Sequence, residues 1–135
     1  MAAIDSAMVS KILNATTSIT AFSTLTTAMK VKLNSTLSTA AAMGTELSGT
    51  GYTAGGQVIT FTTSATGSAV TGPTGSALSW TNGSGGNWTV VSWDLTDSAA
   101  TAIRTWWGPF TGQPITVANG NVFQVAVNAI SITLT

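Results

Sequence analysis

The sequence predicts an all-β protein: an antiparallel β-sandwich of about seven or eight short strands, preceded by one short α-helix. Three observations carry this. Apolar and polar residues alternate through most of the chain, as in Ile130, Ile132 and Leu134 against Ser131 and Thr133, the pattern of a half-buried strand. Gly-, Asn- and Ser-rich clusters break these runs at about 8–12-residue spacing. Helical spacing is confined to the N-terminus.

The chain divides into residues 1–27, a helical arm and linker, and residues 28–135, one sandwich domain. In the arm, residues 4–15 place Ile4, Met8 and Ile12 at i, i+4 and i+8, with Leu13 widening the stripe, so one face is apolar. Asp5 or Ser6 suits the N-cap, where a side-chain oxygen accepts a first-turn N–H. So short a helix is marginal alone and must dock, on its own domain or on a neighbouring subunit. Met8 and Ile12 would make that contact. Residues 16–27 are Thr- and Ser-rich and are assigned no element.

Residues 28–34, AMKVKLN, form a strand with Met29, Val31 and Leu33 on one face and Lys30 and Lys32 on the other. A Gly-rich loop over residues 34–56 holds the only tyrosine, Tyr52, and the only glutamate, Glu46. Residues 57–63 form a strand with Ile59 and Phe61 on one side. Residues 64–77 form a loop around Pro73, and residues 77–81 a strand pairing Leu78 with Trp80 on one face. The cluster NGSGGN at residues 82–87 predicts a hairpin turn.

Residues 87–110 hold four of the five tryptophans. Alternation puts Val91, Trp93 and Leu95 on one face and Trp88 and Val90 on the other. It then sets Ile103, Thr105 and Trp107 against Arg104 and Trp106. Trp80, Trp93 and Trp107 are the expected core set, and Trp88, Arg104 and Trp106 share the outer face, as interface or sugar platform. Gly108-Pro109 ends the strand, because proline cannot donate to a ladder. Ile115 and Val117, the Asn119-Gly120 turn, and Phe123, Val125 and Val127 predict a second hairpin. A last strand carries Ile130, Ile132 and Leu134.

Composition narrows the function. A chain of 135 residues suits one core. Apolar residues make up 44% and charged ones 6%, against about 25% charged in ordinary domains, so this is no charge-rich disordered chain. Ser and Thr fill the gap, at 41 of 135 residues. With zero net charge, nothing repels one copy from another. Such a surface suits burial in an assembly; the alternative is a secreted domain solubilised by Ser, Thr and Asn. Four basic residues are too few to track phosphates, so nucleic acid is not an expected partner. No run approaches the ~18 apolar residues of a membrane span, and Asp5 and Lys11 interrupt the N-terminus against a signal peptide.

Catalytic chemistry finds little material. The chain has no cysteine and no histidine, which removes thiolate metal sites and the commonest general base. No elbow motif such as GxSxG activates a serine. The carboxylates are Asp5, Glu46, Asp94 and Asp97. Asp94 and Asp97 are the only close pair, a spacing as suited to a solvated turn as to a glycosidase pair or a weak Ca²⁺ site. No enzyme activity, cofactor or resident metal is expected. The four Asn-x-Ser/Thr sequences, at Asn14, Asn34, Asn82 and Asn87, are what so much Ser and Thr produces by chance.

The order of elements resembles a family of small virion proteins of tailed bacteriophages, of minor tail, tail-fibre or head-decoration type. The matching pieces are the N-terminal helix, Lys30-Val31-Lys32-Leu33, and Gly44-Thr45-Glu46-Leu47-Ser48-Gly49-Thr50-Gly51-Tyr52 leading into Val58-Ile59-Thr60-Phe61. Val91-Ser92-Trp93-Asp94-Leu95, the Trp106-Trp107-Gly108 strand and the closing hairpin follow. The resemblance covers residues 25–135, and Glu-x-x-Gly-x-Gly-Tyr is its most specific piece. The chain departs from the pattern after Tyr52, where Thr53-Ala54-Gly55-Gly56 replace a basic residue, and at Ser98-Ala99-Ala100, where similar sequences turn on glycines. It implies an Ig-like or jelly-roll-like sandwich in the virion, as a head decoration protein binding the capsid as a homo-oligomer, trimer or dimer. The major capsid protein or other virion proteins would be its partners. A tail or fibre component contacting the host is the alternative. From another class, a carbohydrate-binding module would use Trp88, Trp106 and Trp107 against a glycan. Met8, Ile12, Trp88, Arg104 and Trp106 are the interface candidates.

Overall fold

The structure, a computed structural model, describes residues 3–17, 28–62, 69–99 and 102–133. Its elements run β1 (Ala3–Ile4), α1 (Ser6–Thr16), β2 (Met29–Asn34), β3 (Gln57–Val58), β4 (Ala69–Gly72), β5 (Leu78–Thr81), β6 (Trp88–Val90), β7 (Ser92–Asp97), β8 (Arg104–Pro109), β9 (Ile115–Val117), β10 (Val122–Val125) and β11 (Ile130–Thr133). The fold is all-β and sandwich-like, with one short helix. The expectations for residues 18–27 and for Leu134 lie outside the described residues.

The main layer is a five-stranded antiparallel sheet in the order β1-β8-β7-β2-β3. β2 lies against β7 with Val31 opposite Leu95 and Leu33 opposite Trp93, all four buried in the core. The next residues of each strand face the other way: Lys30 opposite Thr96, Lys32 opposite Asp94, Asn34 opposite Ser92. This is the alternation read from residues 28–34. Every residue of β7 is buried, so its polar Ser92, Asp94 and Thr96 lie inside the protein too.

Two irregularities overturn the predicted faces of residues 87–110. Strict alternation separates Trp88 and Val90 from Trp93 and Leu95, yet all four are in the core. The ladder breaks at Val91, whose N–H bonds to Asn34 O and whose carbonyl accepts Phe110 N–H. One residue out of step there returns both pairs to the same side. In β8, Trp106 lies opposite Leu95 and Arg104 opposite Thr96, with a bulge at Thr105. An extra residue in one strand reverses the faces beyond it. Trp106 therefore packs against the core, while Arg104 and Trp107, opposite Asp94, share the polar face. The expected core role of Trp107 passes to Trp88.

The second layer also departs from expectation. The turns at residues 82–87 and 118–121 are present, but neither closes a hairpin. β5 pairs with β10 and β6 with β9, so the chain arches from one pair to the other twice. The arches meet at Asn82, which is fully buried. Its N–H bonds to Asn121 O and its carbonyl accepts Gly120 N–H. Nδ2 donates to Gly86 O and Val117 O, both at 2.8 Å, and Oδ1 accepts the Ser84 N–H and hydroxyl. Hairpin-type turn residues thus report a reversal without fixing which strands pair. β4, paired with β11, falls where the sequence predicts loop, since Val70 is its only bulky apolar residue. Val127 falls in the turn after β10 and is exposed, not in line with Phe123 and Val125.

The loop over residues 44–56 is fastened to β2. Glu46 Oε1 accepts the Tyr52 hydroxyl at 3.0 Å and Gly55 N–H at 2.7 Å, and the Tyr52 oxygen accepts Leu33 N–H at 3.1 Å. The Tyr52 ring meets Trp88 edge-on, centroids 6.2 Å apart. Gly51 has φ +90°, and a Cβ there would fall 1.7 Å from Thr81 O, so only glycine fits. The Glu-x-x-Gly-x-Gly-Tyr sequence is therefore a loop fastening.

Candidate functional site

The polar face of the sheet is organised by Arg104. Its Nε donates to Asp5 Oδ2 at 2.8 Å, and Nη2 reaches the same oxygen. Nη1 lies 3.4 Å from Asp94 Oδ1. The remaining N–H groups take the carbonyls of Thr39, Ala40 and Ala42. Asp94 Oδ2 also accepts from Asn34 Nδ2 at 2.8 Å, and Asn34 joins Ser38 and Ser92. Only arginine's planar fork of donors serves so many acceptors at once. Residues 35–44 and the arm cover this face: β1 pairs with β8 at Trp106 and Trp107, and Ser6 Oγ donates to Ala40 O. Asp5 precedes α1, and its backbone carbonyl accepts Met8 and Val9 N–H, while its carboxylate turns to Arg104. Its carboxylate ties the arm to the domain.

The predicted interface residues do not form one surface. Trp88 and Met8 are buried within the chain, at 4% and 5% exposure, and Arg104 at 6%. Met8 is used up in docking the arm. Ile12 and Trp106 are half-buried. The sugar platform of Trp88, Trp106 and Trp107 is dispersed by the irregularities at Val91 and Thr105: Trp88 and Trp106 turn to the core and Trp107 to the polar face. None of the five tryptophans is exposed.

The carboxylates are engaged elsewhere. Asp94 and Asp97, three apart on β7, take opposite faces; Asp97 Oδ1 accepts Ile103 N–H at 2.8 Å. Glu46 Oε2 lies 3.5 Å from Lys32 Nζ. Burial, with help from the nearby carboxylates, pushes the Tyr52 phenol well above its ordinary value of 10.0. Among the described residues, no three acidic, His or Cys side chains converge as a metal site requires, and no helix is long and apolar enough to cross a membrane.

Two surface features were not legible in the sequence. First, none of the eight charged side chains is exposed. Asp5, Asp94, Asp97 and Arg104 are buried, and Lys11, Lys30, Lys32 and Glu46 half-buried. Val9 and Leu13 on α1, and Leu37 and Met43 on the covering loop, are exposed instead. Second, a groove of about 500 Å³ opens beside β10 and β11. Trp93, Phe110 and Phe123 contribute to its floor, with Phe110 and Phe123 edge-to-face at 5.1 Å. Exposed Thr111, Gln124 and Ser131 stand at its rim.

No family model matches the chain, and no curated protein matches it.

Proposed function

We propose that the protein is a non-enzymatic structural component of a tailed-bacteriophage virion, most simply a head decoration protein that binds the capsid surface as a homo-oligomer. One observation supports this above the others: four of the eight charged side chains are buried and the other four half-buried. The exposed surface is mostly hydroxyls, amides and scattered apolar groups. It has no charge repulsion to keep copies apart and pays little desolvation cost on burial against a neutral neighbour. Many weak neutral contacts then add through valency.

The reading predicts attachment that ignores salt, since exposed ion pairs are what ionic strength screens. The test mixes the purified chain with capsids lacking it, at about 0.05 M and about 1 M salt, and counts bound copies after sedimentation. Equal binding at both, with a dimer or trimer in solution, is the expected result. A monomer with no affinity for particles would sink the proposal, and binding lost at high salt would remove its neutral-surface mechanism.

A further inference from the structure

The groove beside β10 and β11 has three properties that together define what it takes. Among the described residues its edges are unpaired strand edges. Residues 123–126 and 129–131 line it, while no residue of β5 or β4, their hydrogen-bonded partners, does. The groove therefore lies on the side of each strand away from its partner. Among the described residues β10 has β5 as its one neighbour in its sheet and β11 has β4. Unpaired edges present backbone N–H and C=O groups to any chain lying alongside. The groove is also free of charge: none of the eight charged residues lines it. Finally, its aromatic floor is recessed. Trp93 and Phe123 are buried and Phe110 half-buried, so no flat ring stands out for a sugar to stack on, while a side chain pointing downward meets apolar surface. The volume lies within the ~300–1,000 Å³ of ordinary ligand sites.

We propose that this groove is a peptide site. It takes a short extended segment of another polypeptide, uncharged, which adds as a strand to the free edge of β10 and sets one apolar side chain against Phe110 and Phe123. Backbone pairing supplies affinity in such strand addition, and alternate side chains supply selectivity. The period-2 alternation of a strand turns one side chain to the floor and its neighbours to the rim, where Ser131 offers a hydroxyl and Gln124, whose Nε2 donates to Ser79 Oγ at 3.1 Å, its side-chain carbonyl. A lysine or glutamate at the inward position would lose its hydration against a floor that offers no counter-charge.

The test titrates the full chain with an N-acetylated, C-amidated hexapeptide of alternating threonine and valine with a central phenylalanine, followed by backbone amide NMR. Saturable shifts confined to residues 109–115 and 122–131 are expected. Replacing the central phenylalanine by lysine, or N-methylating the peptide backbone, weakens binding at least about tenfold. Ala129→Trp fills the groove from an exposed rim position and abolishes binding without changing the urea midpoint. Ser131→Trp does the same from β11, should Ala129→Trp disturb the turn. Three results overturn the proposal: no shifts at about 5 mM peptide, N-methylated peptide binding equally well, or a neutral oligosaccharide shifting these amides while the peptide does not.

Discussion

The two faces of the central sheet both carry buried side chains and are differently held. On one side Val31, Leu33, Trp93 and Leu95 meet the second layer. On the other, Asn34, Ser92, Asp94, Thr96 and Arg104 meet the arm and residues 35–44, and none is more than 6% exposed. The first face is held by area and shape, which any apolar side chain of similar volume satisfies. The second is held by direction. Asn34, Ser92 and Arg104 each donate to named acceptors, while the Thr96 hydroxyl has none among the described residues, and removing a member costs its buried partners a bond that water does not replace. The polar face thus contributes specificity: Asp5 fits only where Arg104 waits, so the arm has one seat.

The sharpest way to break this comparison is to make a drastic and a conservative change on each face. Arg104→Ala removes the counter-charge of buried Asp5 and Asp94 and costs about 3–5 kcal/mol. Leu33→Ala, from a side chain with no exposure, costs about 2–5 kcal/mol. The conservative variants then diverge. Leu33→Met keeps volume and costs less than about 1.5 kcal/mol. Arg104→Lys keeps charge but not the fork, so it stays close to Arg104→Ala. Urea-unfolding midpoints measure all four. Equal recovery by Met and Lys would mean that the polar face is held by charge alone.

Asn82 asks whether the same logic holds away from the sheet, with a smaller effect. It carries no charge, yet all its polar atoms have partners across the two arches. Asn82→Ala should cost about 1–3 kcal/mol. Asn82→Asp should do no better, since a carboxylate cannot donate to Gly86 O and Val117 O. If the Asp variant matched the wild type in urea, the junction would need only an acceptor.

What the sequence revealed follows from these same distinctions. Periodicity reports faces wherever a strand is regular, which is why β2, β5 and β11 were legible, with Val31, Leu33, Leu78, Trp80, Ile130 and Ile132 all inward. It fails where one residue is inserted. The break at Val91 and the bulge at Thr105 leave no mark in composition, and each reverses a run of faces, exchanging the roles of Trp88 and Trp107. Turn chemistry at Asn119-Gly120 fixed a reversal but not a partner, because strand pairing is a long-range choice. The burial of Arg104 was hidden because its acceptors are 10 and 99 residues away in Asp94 and Asp5, the others being loop carbonyls. The groove was hidden for a related reason: it exists only because β10 and β11 choose β5 and β4 over each other.

Tyr52 belongs to both regimes, and it yields the smallest and most specific effect. Its ring lies edge-on to Trp88 in the apolar region, while its hydroxyl links Leu33 N–H to Glu46. Tyr52→Phe keeps the ring and removes the link, costing about 0.5–1.5 kcal/mol near neutral pH. Its pH dependence separates the two contributions. Burial first, and the charges of Glu46 and Asp94 with it, raise the phenol's pKa above the ordinary 10.0, against the opposing Leu33 N–H bond. The folded chain therefore holds this proton more tightly than the unfolded chain. The stabilisation is complete below pH 10 and falls as pH rises beyond it, because the unfolded state releases its proton first. The advantage of the wild type over Tyr52→Phe should accordingly shrink between about pH 9 and about pH 11. Every other group is common to the two chains and cancels in the difference. Paired urea unfolding at the two pH values measures it. An advantage unchanged at the higher pH would place the phenol in water, and the loop over residues 44–56 would then be held by its ring and glycines alone.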